Sequence, residues 1–395
     1  MVGILLVILS GLLGLACSER YIVSHDVQFH SYSKQWFYLY YGNSIQKSMT
    51  IGDQTILVID DYYNGLADVH FLISYPFINT IEIDHEVKLY NGNTKYDEHM
   101  EDKVDVKDFE QLTPPLHLDR VDQRYMPLDN KYVYNEFAGM NTTVFIVDTG
   151  IDIKHPEFEG RAEWGINTAD SEGPDGCMES HGTHVAGIVG SKTYGVAKKT
   201  KLVSVKVLDC TGSGSYSGIL EGLEWIAKQK VNYGIVNMSL GGPFSNILNK
   251  AVDSLSSQGY IIVSAAGNEN QDACNTSPAS ARSSITVGSI GVSKGGDCQC
   301  LLFSTFSNYG KCVSILADGE DILSTVPKGR TSTMSGTSMA SPETAGVVAL
   351  YVSRLLGEKK CPSKLIKEIL VAKSIPNAVK GKMNGTPNSL LYSRV

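Results

Sequence analysis

Four stretches of the chain, TTVFIVD (142–148), KLVSVKVLD (201–209), GIVNMSL (234–240) and YIIVSAAG (260–267), are nearly unbroken apolar and β-branched runs. A strand with one wet face alternates apolar and polar side chains, so runs of this kind belong to strands covered on both faces. Between them lie helical patterns, such as THVAGIVGS (183–191) and SGILEGLEWIAKQK (217–230). Strands alternating with helices build a parallel sheet with helices on both faces, and ligands sit at the carboxyl ends of its strands. From about Leu116 onward the expected fold is therefore α/β, a doubly wound and mostly parallel sheet.

The 395 residues allow two compact domains, and an apolar content of 42% suffices for a core. Residues 20–25, 54–60, 67–73 and 78–90 read as short β-rich strands of a small α+β unit spanning 18–90. The following stretch, 91–115, is polar, acidic and closed by two prolines. With little to bury, it reads as a linker over 91–116 that carries a processing site, ahead of a main domain over 117–395. The first seventeen residues are an apolar run ending in small side chains, too short to cross a bilayer comfortably. They are expected to be a secretory signal cut near Ala16 or Ser18, with a lipid-modified Cys17 as the alternative. A net charge of −8 without a dense Lys/Arg run argues against nucleic acid or an anionic membrane as the main partner. Eight cysteines suit a secreted chain, and sequence alone does not pair them.

Three short motifs fall at strand ends or helix starts. Asp148 closes a buried run in FIVDTGID, His181 opens a helix in ESHGTHVAGIVG, and Ser338 opens another in SGTSMASP. A hydroxyl that attacks, an imidazole that moves its proton and a carboxylate that orients the imidazole are what acyl transfer through a covalent intermediate requires. Among the crowded hydroxyls of STMSGTSMASP, Ser338 is singled out by its helix N-terminus. The free amides and dipole there favour an oxyanion, Ser338's own amide can be one donor, and Gly336 keeps the approach open. Pro342 is expected early in the first turn, and Thr333, Ser335, Thr337 and Ser341 are expected to cap or brace it. Taken alone, Asp148 could be a turn former, and His181 with His184 a core pair or half a metal site. The three motifs in the order Asp, His, Ser leave chance little room, and an esterase built on a GxSxG elbow would need Ser, Asp, His.

DTGID, HGTHVAG and GTSMASP resemble the active-site blocks of the subtilisin-like serine proteases. HPEFEGRA, SKTYGVAKKT, VKVLDCTGSGSYSG, SAAGNEN and FSTFSNYG resemble the proteinase K branch, so the resemblance runs from about His117 to the end. YNGLADVHFLI and YPFINTIEIDHEV resemble the family's inhibitory prodomain, which implies a ferredoxin-like α+β unit. The resemblance implies peptide-bond hydrolysis by Asp148, His181 and Ser338, with Asn268 as the side-chain oxyanion donor. It also implies two edges that sandwich an extended substrate, Gly212, Ser213 and Gly214 on one side and Ser239, Leu240 and Gly241 on the other, with Ala265, Ala266 and Gly267 lining the cleft. Small side chains suit edges whose backbone must pair with the peptide as a strand.

The resemblance implies no cofactor for chemistry but structural calcium, with LDRVDQRYMPLD (118–129) offering Asp119, Asp122 and Gln123; an exposed polar start to the domain is the other reading. A second family site is not expected, because TVGSIG places Gly291 at the ligand position. Disulfides Cys177–Cys210 and Cys274–Cys312 are implied, while Cys298, Cys300 and Cys361 stay unassigned, one of the first two pairing with Cys361. Glu343 in SPETAG stands where relatives carry histidine, and at a helix start it agrees with the dipole. The expectation is a secreted, monomeric serine endopeptidase acting on proteins or peptides, made as a zymogen with its own prodomain as inhibitor. The alternative is a catalytically silent binding protein whose prodomain stays bound.

Overall fold

The computed structural model describes residues 20–26, 45–51, 54–60, 78–83, 107–169, 177, 181–229, 231, 233–293, 300–357 and 366–394. The expected signal over 1–17, the strand over 67–73, and Cys298 and Cys361 lie outside the described residues. The chain divides into two units, residues 1–102 and 103–395.

In the first unit, β1 (Arg20–Asp26), β2 (Ile45–Ile51), β3 (Gln54–Asp60) and β4 (Ile78–Ile83) form an antiparallel sheet in the order β2-β3-β1-β4. This is the strand order of a ferredoxin-like unit; the segments that would carry its helices lie outside the described residues.

The second unit opens with β5 (Asp108–Leu112), α1 (Leu116–Val121), β6 (Lys131–Asn135), β7 (Thr143–Asp148), β8 (Ala162–Asn167), α2 (His181–Gly190) and β9 (Lys201–Lys206). It continues through α3 (Tyr216–Lys228), β10 (Gly234–Met238), β11 (Gly242–Pro243), α4 (Asn246–Ser257), β12 (Ile261–Ala265), β13 (Thr276–Ser277), β14 (Ile285–Val292) and β15 (Leu301–Phe303). It ends with β16 (Ile315–Asp318), β17 (Ile322–Val326), β18 (Arg330–Met334), α5 (Thr337–Gly357), α6 (Ile366–Lys373), β19 (Ile375–Pro376) and β20 (Ser389–Leu390).

The central sheet runs β19-β20-β16-β14-β12-β10-β7-β9-β8, with β15 attached to β14, and its pairs from β8 through β20 are parallel. The apolar runs behave as strands buried on both faces. On β7, Val144 and Ile146 enter a core with Val185, Ile188, Val347 and Val348 of α2 and α5. Phe145 and Val147 face the opposite way, onto Ile219 and Leu223 of α3 and Leu248 and Val252 of α4. Each such side chain taken fully out of water stabilises the fold by about 1.5–3 kcal/mol. The two covering helices are capped as their sequences require: Ser215 Oγ accepts from Gly218 N at 3.1 Å and Ser245 Oγ from Leu248 N at 3.2 Å.

One boundary differs from the sequence reading. Residues 107–116, read as the end of a linker, are built into the second unit, where β5 pairs antiparallel with β6 from Asp108 opposite Asn135 to Leu112 opposite Lys131. Composition measures what a segment can bury, and β5 buries little. It is held by backbone hydrogen bonds to an edge that β6 would otherwise leave open.

Candidate active site

The strand order reverses beside β7, whose neighbours are β9 on one side and β10 on the other, and such a switch point leaves a crevice at the carboxyl ends of the strands. Asp148 is the last residue of β7 and is fully buried. Its Oδ1 accepts from Thr149 N at 2.7 Å, and both of its oxygens lie 2.9 Å from His181 Nδ1. His181 opens α2, which seats tightly on the end of β7 because its second residue is Gly182. A Cβ there would come within 2.3 Å of the Gly150 carbonyl oxygen. The hydrogen bond to Asp148 fixes the tautomer with Nδ1 protonated, leaving Nε2 as the basic atom, and 32% of the His181 side chain is exposed. Burial works against its charged form, yet the Asp148 carboxylate and the hydrogen bond outweigh that and hold the His181 pKa above its ordinary 6.5.

Ser338 is the second residue of α5, so its amide has no intrahelical acceptor. Its Oγ donates to the Ser239 carbonyl at 3.0 Å, and Ser239 Oγ donates back to the Ser338 carbonyl at 2.9 Å. This reciprocal pair has a covalent cause. Pro342, four residues after Ser338, has no N–H to offer that carbonyl, and Ser239 takes the vacancy. Pro342 was expected in the first turn; because α5 begins at Thr337, it stands one turn later. Among the described residues no hydrogen bond joins Ser338 Oγ to His181. Such bonds are often unmade before substrate arrives.

Asn268 is exposed just beyond β12, and its Oδ1 accepts from both Thr337 N at 2.8 Å and Thr337 Oγ1 at 2.9 Å. With its oxygen committed, the amide can only present Nδ2 outward. A Cβ placed on Gly336 would lie 3.3 Å from that Nδ2 and 3.7 Å from Ser338 N. The missing side chain of Gly336 therefore leaves a space between two N–H donors, where an oxyanion fits. Sequence reasoning placed Thr337 as a brace without seeing what it braces, the asparagine rather than the turn.

The other expected residues fall as follows. Gly212, Ser213 and Gly214 form an exposed turn held by Asp209, which accepts from Thr211 N at 2.8 Å and Ser213 N at 3.0 Å. Ser239, Leu240 and Gly241 follow β10, and Ala265 closes β12 with Ala266 and Gly267 just beyond it. Cys177 is bonded to Cys210 and Cys274 to Cys312, while Cys300 is itself in a disulfide. His184, one turn beyond His181, is fully buried and donates Nε2 to the carbonyls of Ile322 at 3.1 Å and Ser332 at 3.0 Å.

In the segment read for calcium, Asp119 Oδ1 and Asp129 Oδ1 converge on Gln123 Nε2 at 2.6 and 2.8 Å. Asp122 instead accepts from Val133 N at 2.8 Å and Arg394 Nη2 at 3.2 Å. Among the described residues no three His, Cys, Asp or Glu side chains gather at one point.

A buried carboxylate holding an imidazole, a serine at a helix start and two aligned amide donors, all at the switch point of a doubly wound sheet, define a serine hydrolase that works by acyl transfer. The chain belongs to the subtilase family, whose sequence profile matches residues 139–389, and it is a serine endopeptidase. It is 46% identical over 289 residues to a cuticle-degrading protease of Metarhizium anisopliae, covering 72% of this chain and 71% of that one. Subtilisin-like protease 3 of Arthroderma benhamiae is 39% identical over 357 residues, 88% of this chain and 82% of the relative. A cold-adapted subtilisin-like serine proteinase of known crystal structure superposes with a TM-score of 0.65 at 41% identity, over 72% of this chain and 99% of that one.

Proposed function

We propose that Ser338 is the nucleophile of this protease, His181 its general base and acid, Asp148 the group that orients and stabilises the imidazolium, and Asn268 with the Ser338 amide the oxyanion donors. The observation that carries this reading is the space over Gly336, bounded by Asn268 Nδ2 and Ser338 N. A peptide enters extended between Gly212–Ser213–Gly214 and Ser239–Leu240–Gly241, with Ala265, Ala266 and Gly267 beneath it, pairing with their backbone as an added strand. Ser338 Oγ leaves the Ser239 carbonyl, gives its proton to His181 Nε2 and attacks the scissile carbonyl. The oxyanion settles between the two donors, His181 returns the proton to the leaving amine, and water repeats the sequence to release the acyl group. Walls of backbone and small side chains suit broad selection among protein and peptide substrates.

The chain is made as a secreted, monomeric zymogen: a signal over 1–17 is removed, and the unit over 18–90 assists folding and blocks the cleft until the enzyme cuts itself free. The pairing of Asp108–Leu112 with β6 supports a cut in the earlier part of the 91–116 linker, before Lys107. Asp119 and Asp129 bring two hard carboxylate oxygens together, and with the Gln123 amide turned to offer Oε1 in place of Nε2 the three would suit calcium and stabilise the fold, with Asp122 tied to Arg394 beside them. A chelator is expected to lower Tm and leave kcat on short peptides unchanged. The test of the whole reading is the intact mass of the exported chain beside Ser338→Ala. A split wild type with an unsplit variant supports self-processing, and two unsplit chains refute it.

A further inference from the structure

Behind Ser338 lies a buried charge cluster outside the catalytic residues. Arg120 of α1 is 1% exposed, Asp318 at the end of β16 is 3% exposed, and Glu343 of α5 is completely buried. Arg120 Nε bonds Asp318 Oδ2, Arg120 Nη1 donates to the Leu391 carbonyl at 2.8 Å, and Arg120 Nη2 stands 3.7 Å from Glu343 Oε1. Glu343 Oε2 accepts from the Asp318 backbone amide at 2.7 Å. The same strand end holds the other side of the nucleophile: Gly336 N donates at 2.7 Å to the carbonyl of Gly319, the residue after Asp318. The start of α5 is thus pinned to one short segment at two points, two residues before Ser338 and five residues after it.

Charge counting decides the state of this cluster. One guanidinium balances one carboxylate, and a second carboxylate ionised in a dry core would stand uncompensated at a cost no packing offsets. Asp318 has the direct bond to Arg120, whereas Glu343 Oε1 is buried without a hydrogen-bond partner. We propose that Glu343 is a positioning residue for Ser338 that acts as a neutral acid, bracing the first turns of α5 against the Asp318–Gly319 segment while Asp318 neutralises Arg120. Burial first, and then the Asp318 carboxylate, push Glu343 well above the usual carboxylate range. The other charged or titratable groups facing it are Arg120 from α1 and Tyr132 from β6, whose phenol burial keeps neutral; Asp122 faces both of these. The sequence reading placed Glu343 at the helix start, whereas it is the seventh residue of α5, in the second turn and beyond the free amides on which the dipole argument rests.

Three variants of the full chain test this, each compared with wild type on one peptide substrate after active-site titration. Glu343→Gln keeps an acceptor for Asp318 N and carries no charge, so kcat and KM should stay within about threefold. Glu343→Asp keeps the acid but draws it one methylene away from Asp318 N, and Glu343→Ala removes it. Both should lower kcat by about tenfold to a hundredfold with KM little changed, the signature of a displaced nucleophile. The infrared band of a buried protonated carboxyl should be present in wild type at neutral pH and missing from Glu343→Gln. A Gln variant as damaged as Asp, or no band difference between wild type and Gln, overturns the neutral acid. An Asp variant with wild-type kcat overturns the positioning role whatever its Tm, and this holds even if Ala fails to fold. An active wild type keeps these outcomes separate from any failure of the protease assignment.

Discussion

Two histidines one turn apart on α2 sit in opposite surroundings. His181 keeps a third of its side chain exposed, gives one ring nitrogen to a carboxylate and leaves the other toward the cleft. His184 is buried and shares one N–H between two carbonyls, and the more distant Asp148 charge raises it too little to offset burial. Burial, outweighed by Asp148, leaves the first raised above 6.5, and burial lowers the second to about 4. Two asparagines repeat the contrast. Asn268 commits only its oxygen, to Thr337, whereas buried Asn237 donates to Ser239 Oγ at 2.9 Å and accepts from Ser341 Oγ at 2.8 Å. At the carboxyl edge of the sheet a polar group is held by one end and offered by the other. In the interior both asparagine ends are used.

The largest expected effect comes from erasing what distinguishes His181. Asp148→Asn should lower kcat by about 10⁴-fold, since an amide stabilises the wrong tautomer and no imidazolium. It should also move the acid limb of kcat/KM, which lies above pH 6.5 in wild type because His181 must lose its proton to act as base, to lower pH. The stability that this raised pKa contributes runs the other way, being complete below 6.5 and lost as pH rises through the folded value. A limb that does not move would mean Asp148 is not what sets the His181 pKa. Next in size, Asn268→Ala should lower kcat by about 10²–10³ with KM nearly unchanged, a magnitude known from subtilisin's own side-chain donor. Steady-state kinetics with active-site titration separates that outcome from partial unfolding.

How much of this was legible follows from the kind of signal each feature leaves. Strands buried on both faces write themselves as apolar runs, so β7, β9, β10 and β12 stand where the sequence puts them. The residues proposed as the triad draw the eye because each sits where a period ends, Asp148 after a strand and His181 and Ser338 at helix starts. β5 was not, because a strand held by backbone bonds and burying little leaves no mark in composition. Nor was the partnership of Glu343, because Arg120 lies 223 residues earlier and only the fold brings the two together. Asp129 escaped for a similar reason: Asp119 and Gln123 are a helical turn apart, while Asp129 returns to them through a loop.

His184 sharpens the comparison in acid. The unfolded chain protonates this residue near 6.5 and the folded chain only near 4, so the unfolded state binds more protons within that window and stability falls as pH falls. Such a gap corresponds to roughly 3 kcal/mol lost by pH 4. His117, buried against the Tyr194 carbonyl and lowered by that burial to about 3, adds in the same direction. Denaturant unfolding at a series of pH values should show the decline in wild type. His184→Gln, which can still donate to Ile322 and Ser332 but cannot titrate, should show a shallower one. An equally steep decline in the variant would place the acid sensitivity elsewhere.

The smallest expected effect is the most discriminating for the asparagine pair. Asn237→Ala removes two interior hydrogen bonds and leaves Ser239 and Ser341 to find new partners, a loss of about 2 kcal/mol. Calorimetry should show it as a lower Tm, while kcat stays within about threefold because no Asn237 atom is offered to substrate. Ser239 makes this a demanding case, since its carbonyl is the resting partner of Ser338 and its hydroxyl is held by Asn237. If kcat falls as far as in Asn268→Ala, the interior network reaches into the reaction through Ser239, and the division between held and offered groups fails at that residue.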